Sequence, residues 1–374
     1  MKIVIEEVLE DKEGFVAIAK KSPFYPDGKG GQLGDRGKIG DADVKKVIQK
    51  TGFIFHIIDK EIAPGEYEVQ IDEARRKDIA AQHTAQHILS AAFVEVAGIE
   101  TVSFHMGEEI STIDLKASPI LKEVVDEAEN LANKIILENR KVKEHIVKKD
   151  EVQKFPLRKP LSEKVKGNVR IIEVEGFDYS ACGGFHVKST GEIGIVKIVD
   201  YEKVKGSLTR IYYVAGMRAL REFRKRVDIL KRLTSKLTAS IDDIERRIEK
   251  ILEDTKKKGS ALDKVSEEYA KVLSSELLKN ADRLGDIFVI FYDGFESVGK
   301  YLFKFLGDEE KLLIFVKVDG GYEVGSSSLD IGKLIKEISQ KTSSKGGGGK
   351  NRGRLITNLD RKAILQVLKE ILSG

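Results

Sequence analysis

Apolar residues alternate in short runs over the first 72 residues, and then the period changes. Ile3-Val4-Ile5, Phe15-Val16-Ala17-Ile18 and the runs 53–58 and 67–71 are strand-length segments separated by Gly, Pro and Asp. Residues 1–72 are therefore expected to form a β-rich, barrel-like domain. From 73 onward the spacing becomes helical. Helices are predicted over about 73–97 and, after Pro119, about 121–140, with strands at 169–174, 193–199 and 209–214. Residues 73–216 thus read as an α/β core. A seam follows: Leu220, Phe223, Val227, Leu230, Leu237, Ile241, Ile244, Ile248 and Ile251 fall on steps of three and four, with Thr234 at one seam position. Gly259-Ser260 is expected to break the run, and Leu262, Val265, Tyr269 and Val272 resume it. That spacing predicts an antiparallel helical hairpin over 217–283, a spacer or a dimerisation arm. Ser240-Ile241-Asp242-Asp243 is a further helix-start signal inside its first half. Residues 284–374 read as a small α/β domain, with buried-strand runs at 286–291 and 312–318 and helices near 330–341 and 359–372. The fold class is α+β, in several domains.

Composition narrows the setting. No apolar run reaches membrane-spanning length, so no membrane partner is expected. The N-terminus enters a strand pattern directly and lacks a signal-peptide layout. One cysteine excludes an internal disulfide, and the cytoplasm is the expected compartment. Charged residues make up 34% of the chain, with no Trp and three Met, a thermophile-like balance. Net charge is only +4, but it is unevenly spread. From Lys341 onward, eight basic residues face Asp360 and Glu370, a local net of +6. Such a segment suits phosphate contact, and equally suits a solvated face.

Chemistry concentrates in a few places. The single Cys stands four residues before a histidine, in Cys182-Gly183-Gly184-Phe185-His186. A second pair has the same spacing, His83-Thr84-Ala85-Gln86-His87. On a helix, i and i+4 share a face, so His83 and His87 can reach one ion. Two glycines let a tight loop turn Cys182 and His186 inward. Cys and neutral His are preferred zinc ligands, and four complete a tetrahedral site. Either pair alone is commonplace; together they make Zn2+ the expected cofactor. Residues 22–35 hold a glycine-dense loop, including Gly30, Gly31 and Gly34, that allows close backbone approach to a ligand. It lacks the Gly-Lys-Ser/Thr ending of a P-loop. A second glycine-rich segment, 346–354, places four glycines beside Lys350, Arg352 and Arg354. It could cradle phosphates through backbone N–H groups, or be a loose loop.

These motifs resemble a known family. His83-Thr84-Ala85-Gln86-His87-Ile88-Leu89 with Cys182-Gly183-Gly184-Phe185-His186-Val187 resembles the paired metal motifs of the alanyl-tRNA synthetase editing domain. Gly30-Gly31-Gln32 with Asp35 looks like that domain's glycine-rich loop. Ser103-Phe104-His105-Met106-Gly107 followed by Ser111-Thr112-Ile113-Asp114-Leu115 resembles its internal strand pair, and Thr209-Arg210-Ile211 leading to Val214-Ala215-Gly216 its closing strand. The hairpin and glycine-rich tail are similar to the C-terminal part of the same synthetases. The match begins with the editing domain and includes no counterpart of the aminoacylation domain. It therefore implies the freestanding long-form editing proteins.

The resemblance implies a hydrolase that deacylates alanine-specific tRNA wrongly charged with serine, and possibly glycine, without ATP. The implied metal ligands are His83, His87, Cys182 and His186. The implied substrate contacts are Gly30, Gly31, Asp35 and His105. From the basic charge of the tail, Lys350, Arg352 and Arg354 are the expected tRNA contacts, and the hairpin or C-terminal domain is the candidate contact for a homodimer. Position 84 is Thr, where a zinc protease has its general-base Glu, so Gln32 and Gln86 become the candidates for holding a catalytic water. The chain departs from the family at Phe185, where threonine is common, at Arg36, where some members have threonine, and in a loop 26–30 one residue longer. Its tail loop also lacks the usual acidic and apolar residues. The competing reading is a tRNA-binding module with a purely structural zinc. A phosphoesterase is disfavoured because the chain has no Asp-His-His metal motif.

Overall fold

The computed structural model describes residues 1–12, 14–161 and 167–372. The chain divides into two compact units, Met1–Lys231 and Arg232–Gly374. The first opens with strands β1 (Lys2–Ile5), β2 (Glu7–Asp11), β3 (Gly14–Ala19), β4 (Gly37–Ile39), β5 (Ala42–Lys50), β6 (Phe53–Ile58) and β7 (Gly65–Ile71). They form one antiparallel sheet in the order β1-β7-β4-β5-β6-β3-β2. The expected barrel is not closed, because β1 and β2 end the sheet at opposite edges and do not pair. Yet only Glu6 separates them in sequence, so the sheet must curl until its edges meet. Ile5, Ala17, Phe24, Ile39 and Ile58 fill the interior of that curl.

Helix α1 (Glu73–Ala97) follows. Asp72 caps it by accepting a hydrogen bond from Arg75 N, and Gly98 ends it in the left-handed conformation with φ 66°. Every residue from Ile79 to Phe93 is buried. A helix hydrophobic on one face only would not tolerate this, so α1 is a central helix, enclosed all round. Enclosing it are α2 (Lys122–Leu137) and a sheet of β8 (Thr101–Met106), β9 (Ser111–Leu115), β13 (Val196–Val204) and β14 (Leu208–Ala215), ordered β13-β14-β9-β8. The Gln82 amide clamps β14 to the helix, accepting from Ala215 N and donating to Ala215 O at 2.9 and 2.8 Å. A smaller sheet joins β10 (Val142–Lys148), β11 (Asn168–Val174) and β12 (Asp178–Ala181). The strand expected at 193–199 begins later, since 190–193 is a 3-10 turn.

Helix α3 (Met217–Leu237) begins in the first unit. A break at 238–240 leads to α4 (Ile244–Lys279). The expected break at Gly259-Ser260 does not occur: α4 runs through it. One glycine costs about 1 kcal/mol in a helix interior, which 36 residues absorb. The rest of the second unit is a six-stranded sheet, β15 (Asp282–Leu284), β16 (Ile287–Tyr292), β17 (Leu312–Val318), β18 (Gly321–Gly325), β19 (Lys345–Gly348) and β20 (Arg352–Ile356), with α5 (Glu296–Leu306), α6 (Ile331–Lys341) and α7 (Arg361–Leu372). The glycine-rich segment is not a loose loop but the β19–β20 edge hairpin, pressed onto α6. A Cβ on Gly346 would meet Ile335 Cγ2 at 2.9 Å, and one on Gly353 would meet Ile335 Cδ1 at 2.5 Å. Its turn carbonyls, from Gly349 and Lys350, accept from Gly332 N and Ile331 N at the start of α6. No helix of the described residues is long and apolar enough to cross a membrane.

His56 sits inside the curled sheet, its Nδ1 3.1 Å from Ala17 O and its Nε2 2.7 Å from Ser22 Oγ. Burial pushes its pKa down to about 4. An unfolded histidine titrates near 6.5 and binds its proton first. The stabilisation is therefore present above about pH 6.5 and lost as pH falls through 4. Denaturant unfolding between pH 7 and pH 4 should show wild type losing about 3 kcal/mol more stability than His56→Gln. Parallel pH slopes would refute this.

Candidate metal centre

The buried stretch of α1 carries Gln82, His83, Thr84, Gln86, His87 and Ser90. Buried polar groups require partners, and here other elements supply most of them. Cys182 and His186 come from the loop after β12. One donor atom from each of His83, His87, Cys182 and His186 lies within 4.8 Å of the others. Cys182 Sγ is 3.4 Å from His83 Nε2 and 3.3 Å from His186 Nε2.

The outer nitrogen of each ring fixes the inner one. Phe185 N donates to Gln32 Oε1 at 2.8 Å, so that oxygen is an acceptor. His83 Nδ1, 2.9 Å from the same oxygen, must then carry the proton. Thr84 spends its hydroxyl hydrogen on Ala80 O at 2.9 Å. It therefore accepts from His186 Nδ1 at 3.1 Å. His87 Nδ1 faces Asp178 Oδ2 at 3.4 Å, a charge contact without hydrogen-bond alignment. Each neutral ring has one proton, and the outer acceptor takes it. The Nε2 lone pairs of His83 and His186 are left facing the Cys182 sulfur. Lone pairs so placed repel unless a cation lies among them, so the four residues fit a metal ion.

Charge preferences agree. Burial pushes the Cys182 thiol up, but His186, His83 and His87 outweigh it and pull the thiol down to about 2. Burial takes His186 down to about 3 and also lowers His83. Burial pushes His87 down as well, but Asp178 and Cys182 overcome it and lift that ring to about 9. Without a metal, the group thus favours a thiolate with its compensating proton on His87.

Close packing holds the loops in place. A Cβ on Gly184 would lie 2.3 Å from both Gln32 Oε1 and His83 Cε1, so only glycine fits. Arg170 donates to the carbonyls of Cys182 and Gly184 at 3.0 and 2.8 Å. Phe185 lies between the Tyr25 ring and the Arg76 guanidinium, each 4.8 Å away. Arg36 forks onto Asp27 at 2.9 and 3.0 Å and also holds the carbonyls of Gly34 and Asp35.

The remaining candidates scatter. Gln32 is an orienting partner of His83. Gln86 donates to Ser90 Oγ at 2.8 Å within α1. Asp35 is fully buried, binding Arg76 and Tyr25 N. A Cβ on Gly30 would lie 3.5 Å from Gly184 N, and one on Gly31 3.3 Å from the Phe104 ring, so both glycines line the approach to the group. Phe104 stacks on His83 at 5.4 Å. His105 is its strand neighbour and so faces the other side of the sheet, beside Asp114 and Arg210. In the second unit Lys350, Arg352 and Arg354 are exposed; Arg352 covers the Phe303 ring and Arg354 donates to Asp319 O. Asp178, Thr84 and Arg170 were missed. Their partners are distant in sequence, and no local spacing marks them.

Comparison with known proteins gives these features a lineage. Residues 169–212, which contain Cys182 and His186, match the family described as Threonyl and Alanyl tRNA synthetase second additional domain. The chain is 31% identical over 381 residues to an alanine–tRNA ligase of Ignicoccus hospitalis, covering 97% of this chain and 41% of that protein. It is 29% identical over 385 residues to alanyl-tRNA editing protein AlaX-L of Pyrococcus horikoshii, covering 94% and 90%. It is 27% identical over 373 residues to alanyl-tRNA editing protein Aarsd1-A of Xenopus laevis, covering 96% and 89%. The chain is a relative of the alanyl-tRNA editing proteins. It spans about two-fifths of the length of the ligases it matches and about nine-tenths of the editing proteins.

The four-donor geometry of this editing-protein relative predicts about one divalent ion per chain. Elemental analysis and competition with a chelating dye should show Cys182→Ala losing the ion. Asp178→Asn, which keeps an acceptor but removes its charge, should bind it 10–100-fold more weakly. Wild-type affinity in both variants would show that the ion, if present, lies elsewhere.

Proposed function

We propose that this protein is a trans-editing hydrolase. Its substrate is alanine-specific tRNA carrying the wrong amino acid, serine and possibly glycine, and it cleaves the aminoacyl ester at a zinc site. His83, His87, Cys182 and His186 are the proposed ligands. The observation that carries this reading is the set of outward-protonated histidines around one thiolate, in a chain aligned along its length with editing proteins. Softness of the donors favours zinc, as nitrogen and sulfur ligands do.

Bound zinc would supply a fixed positive charge that orders the pocket and the tRNA 3′ end. The chain's own residues do the rest. Gln32 keeps His83 in one tautomer and, through Phe185 N, fastens the Cys182–His186 loop to the glycine-rich loop. Gly30 and Gly31 leave room for the tRNA 3′ end beside His83. Four protein ligands make a filled shell, so positioning of a water beside an already labile ester is the main demand on the pocket. The selectivity follows from size and polarity. A synthetase pocket for alanine rejects serine poorly, whereas a site that hydrogen-bonds the serine hydroxyl rejects alanine strongly.

The test is deacylation of alanine-specific tRNA charged separately with serine, glycine and alanine. Seryl ester should be hydrolysed and alanyl ester largely spared. Cys182→Ala should lower the seryl rate by at least about 100-fold, in keeping with loss of an electrostatic element. Equal rates on serine and alanine would refute the selectivity. Tight tRNA binding with no turnover would leave a zinc-containing binding module instead.

A further inference from the structure

Helix α3 has no role in the site. It carries Arg218, Arg221, Arg224, Lys225, Arg226, Lys231, Arg232 and Lys236 against only Glu222 and Asp228, a net of +6 in 21 residues. The whole chain nets +4. Helix α4, with 36 residues, balances nine basic side chains against eight acidic ones, the pattern of an ordinary solvated helix. Arg221, Arg224, Lys225 and Arg226 are exposed. Lys225 and Arg226 share a single acidic neighbour, Glu222, at 3.8 Å each.

The first turn of α3 is rigidly fixed. Arg218 is 3% exposed, binds Asp78 of α1 at 2.7 and 2.8 Å, and donates to Gly107 O at 2.7 Å. Asp78 precedes His83 by five residues, about 7.5 Å along the helix axis. Beside it lies a cleft of 910 Å³ lined by Lys77, Ile193, Ile195, Met217 and Arg221. The cationic helix is therefore anchored to α1, the helix that also carries His83 and His87, at a point about 140° around its axis from His83.

We propose that α3 is an RNA-binding surface. Its partner is the phosphate backbone of the duplex leading to the 3′ end held in the site. This rests on the editing reading for the identity of the RNA. Paired phosphates supply a dense row of negative charge, the complement of the exposed Arg221, Arg224, Lys225 and Arg226 on a helix anchored to the one that carries His83 and His87.

The experiment uses the full chain and uncharged tRNA, so its result does not depend on turnover. Arg221→Gln, Arg224→Gln, Lys225→Gln and Arg226→Gln are combined. A control combines Lys256→Gln, Lys257→Gln and Lys258→Gln on α4. The α3 variant should bind tRNA at least tenfold more weakly at moderate salt, and its log–log salt slope should fall by about three. The loss should persist on a minihelix containing only the duplex and 3′ end. Metal content should be unchanged. Unaltered affinity and slope, an equal loss in the control, or a loss seen only on anionic vesicles would each overturn the proposal. Normal α3-dependent binding without any deacylation would instead overturn the editing reading and leave this one standing.

Discussion

The first unit depends on how a fully enclosed helix satisfies its polar side chains. From Ile79 to Phe93, α1 has no solvent to turn to. Most of its amides, hydroxyls and imidazoles find partners on other elements, and each such partner is thereby placed. Gln82 fastens the end of β14, Thr84 receives His186, and His83 receives Gln32. The chemistry and the assembly of the fold are thus the same set of hydrogen bonds. An unpaired buried group would cost about 1–3 kcal/mol, so the arrangement is strongly specified.

This dependence explains how the candidate centre can be built from loops. The Cys182–His186 loop has little secondary structure of its own. Arg170 grips its carbonyls, Gln32 takes its Phe185 N–H, and Gly184 presses against the His83 ring. Asp178 stands behind His87 and is itself held by Arg158 at 2.7 Å and Ser180 at 2.9 Å. The donors are rigid because their supports are buried.

Much of this was legible in the sequence, and the remainder was hidden for identifiable reasons. The two four-residue spacings marked four donors that the fold brings together. The predicted span of α1, about 73–97, is the one the structure shows, where Asp72 caps the helix and Gly98 ends it. The partners of the histidines were invisible, because they lie 51 and 102 residues away. Strand count suggested a barrel, but closure depends on whether the edge strands pair, and β1 and β2 do not. Glycine density at 346–349 showed that backbones come close without revealing what approaches them; the answer is Ile335 on α6. Gly259 showed that a helix breaker acts only where the surrounding turns are too few to override it.

Helix α1 also acts as a ruler. Arg76, Gln82, His83, Thr84 and His87 each serve a different part of the fold, and their directions are set by 100° of rotation per residue. Changing a side chain alters one connection. Adding or removing a single residue between Arg76 and His87 would turn one group of connections away from the other. The evolutionary record of this helix should therefore contain substitutions but no insertions or deletions, and length variation should fall in the loops, where the phase of a helix is not at stake.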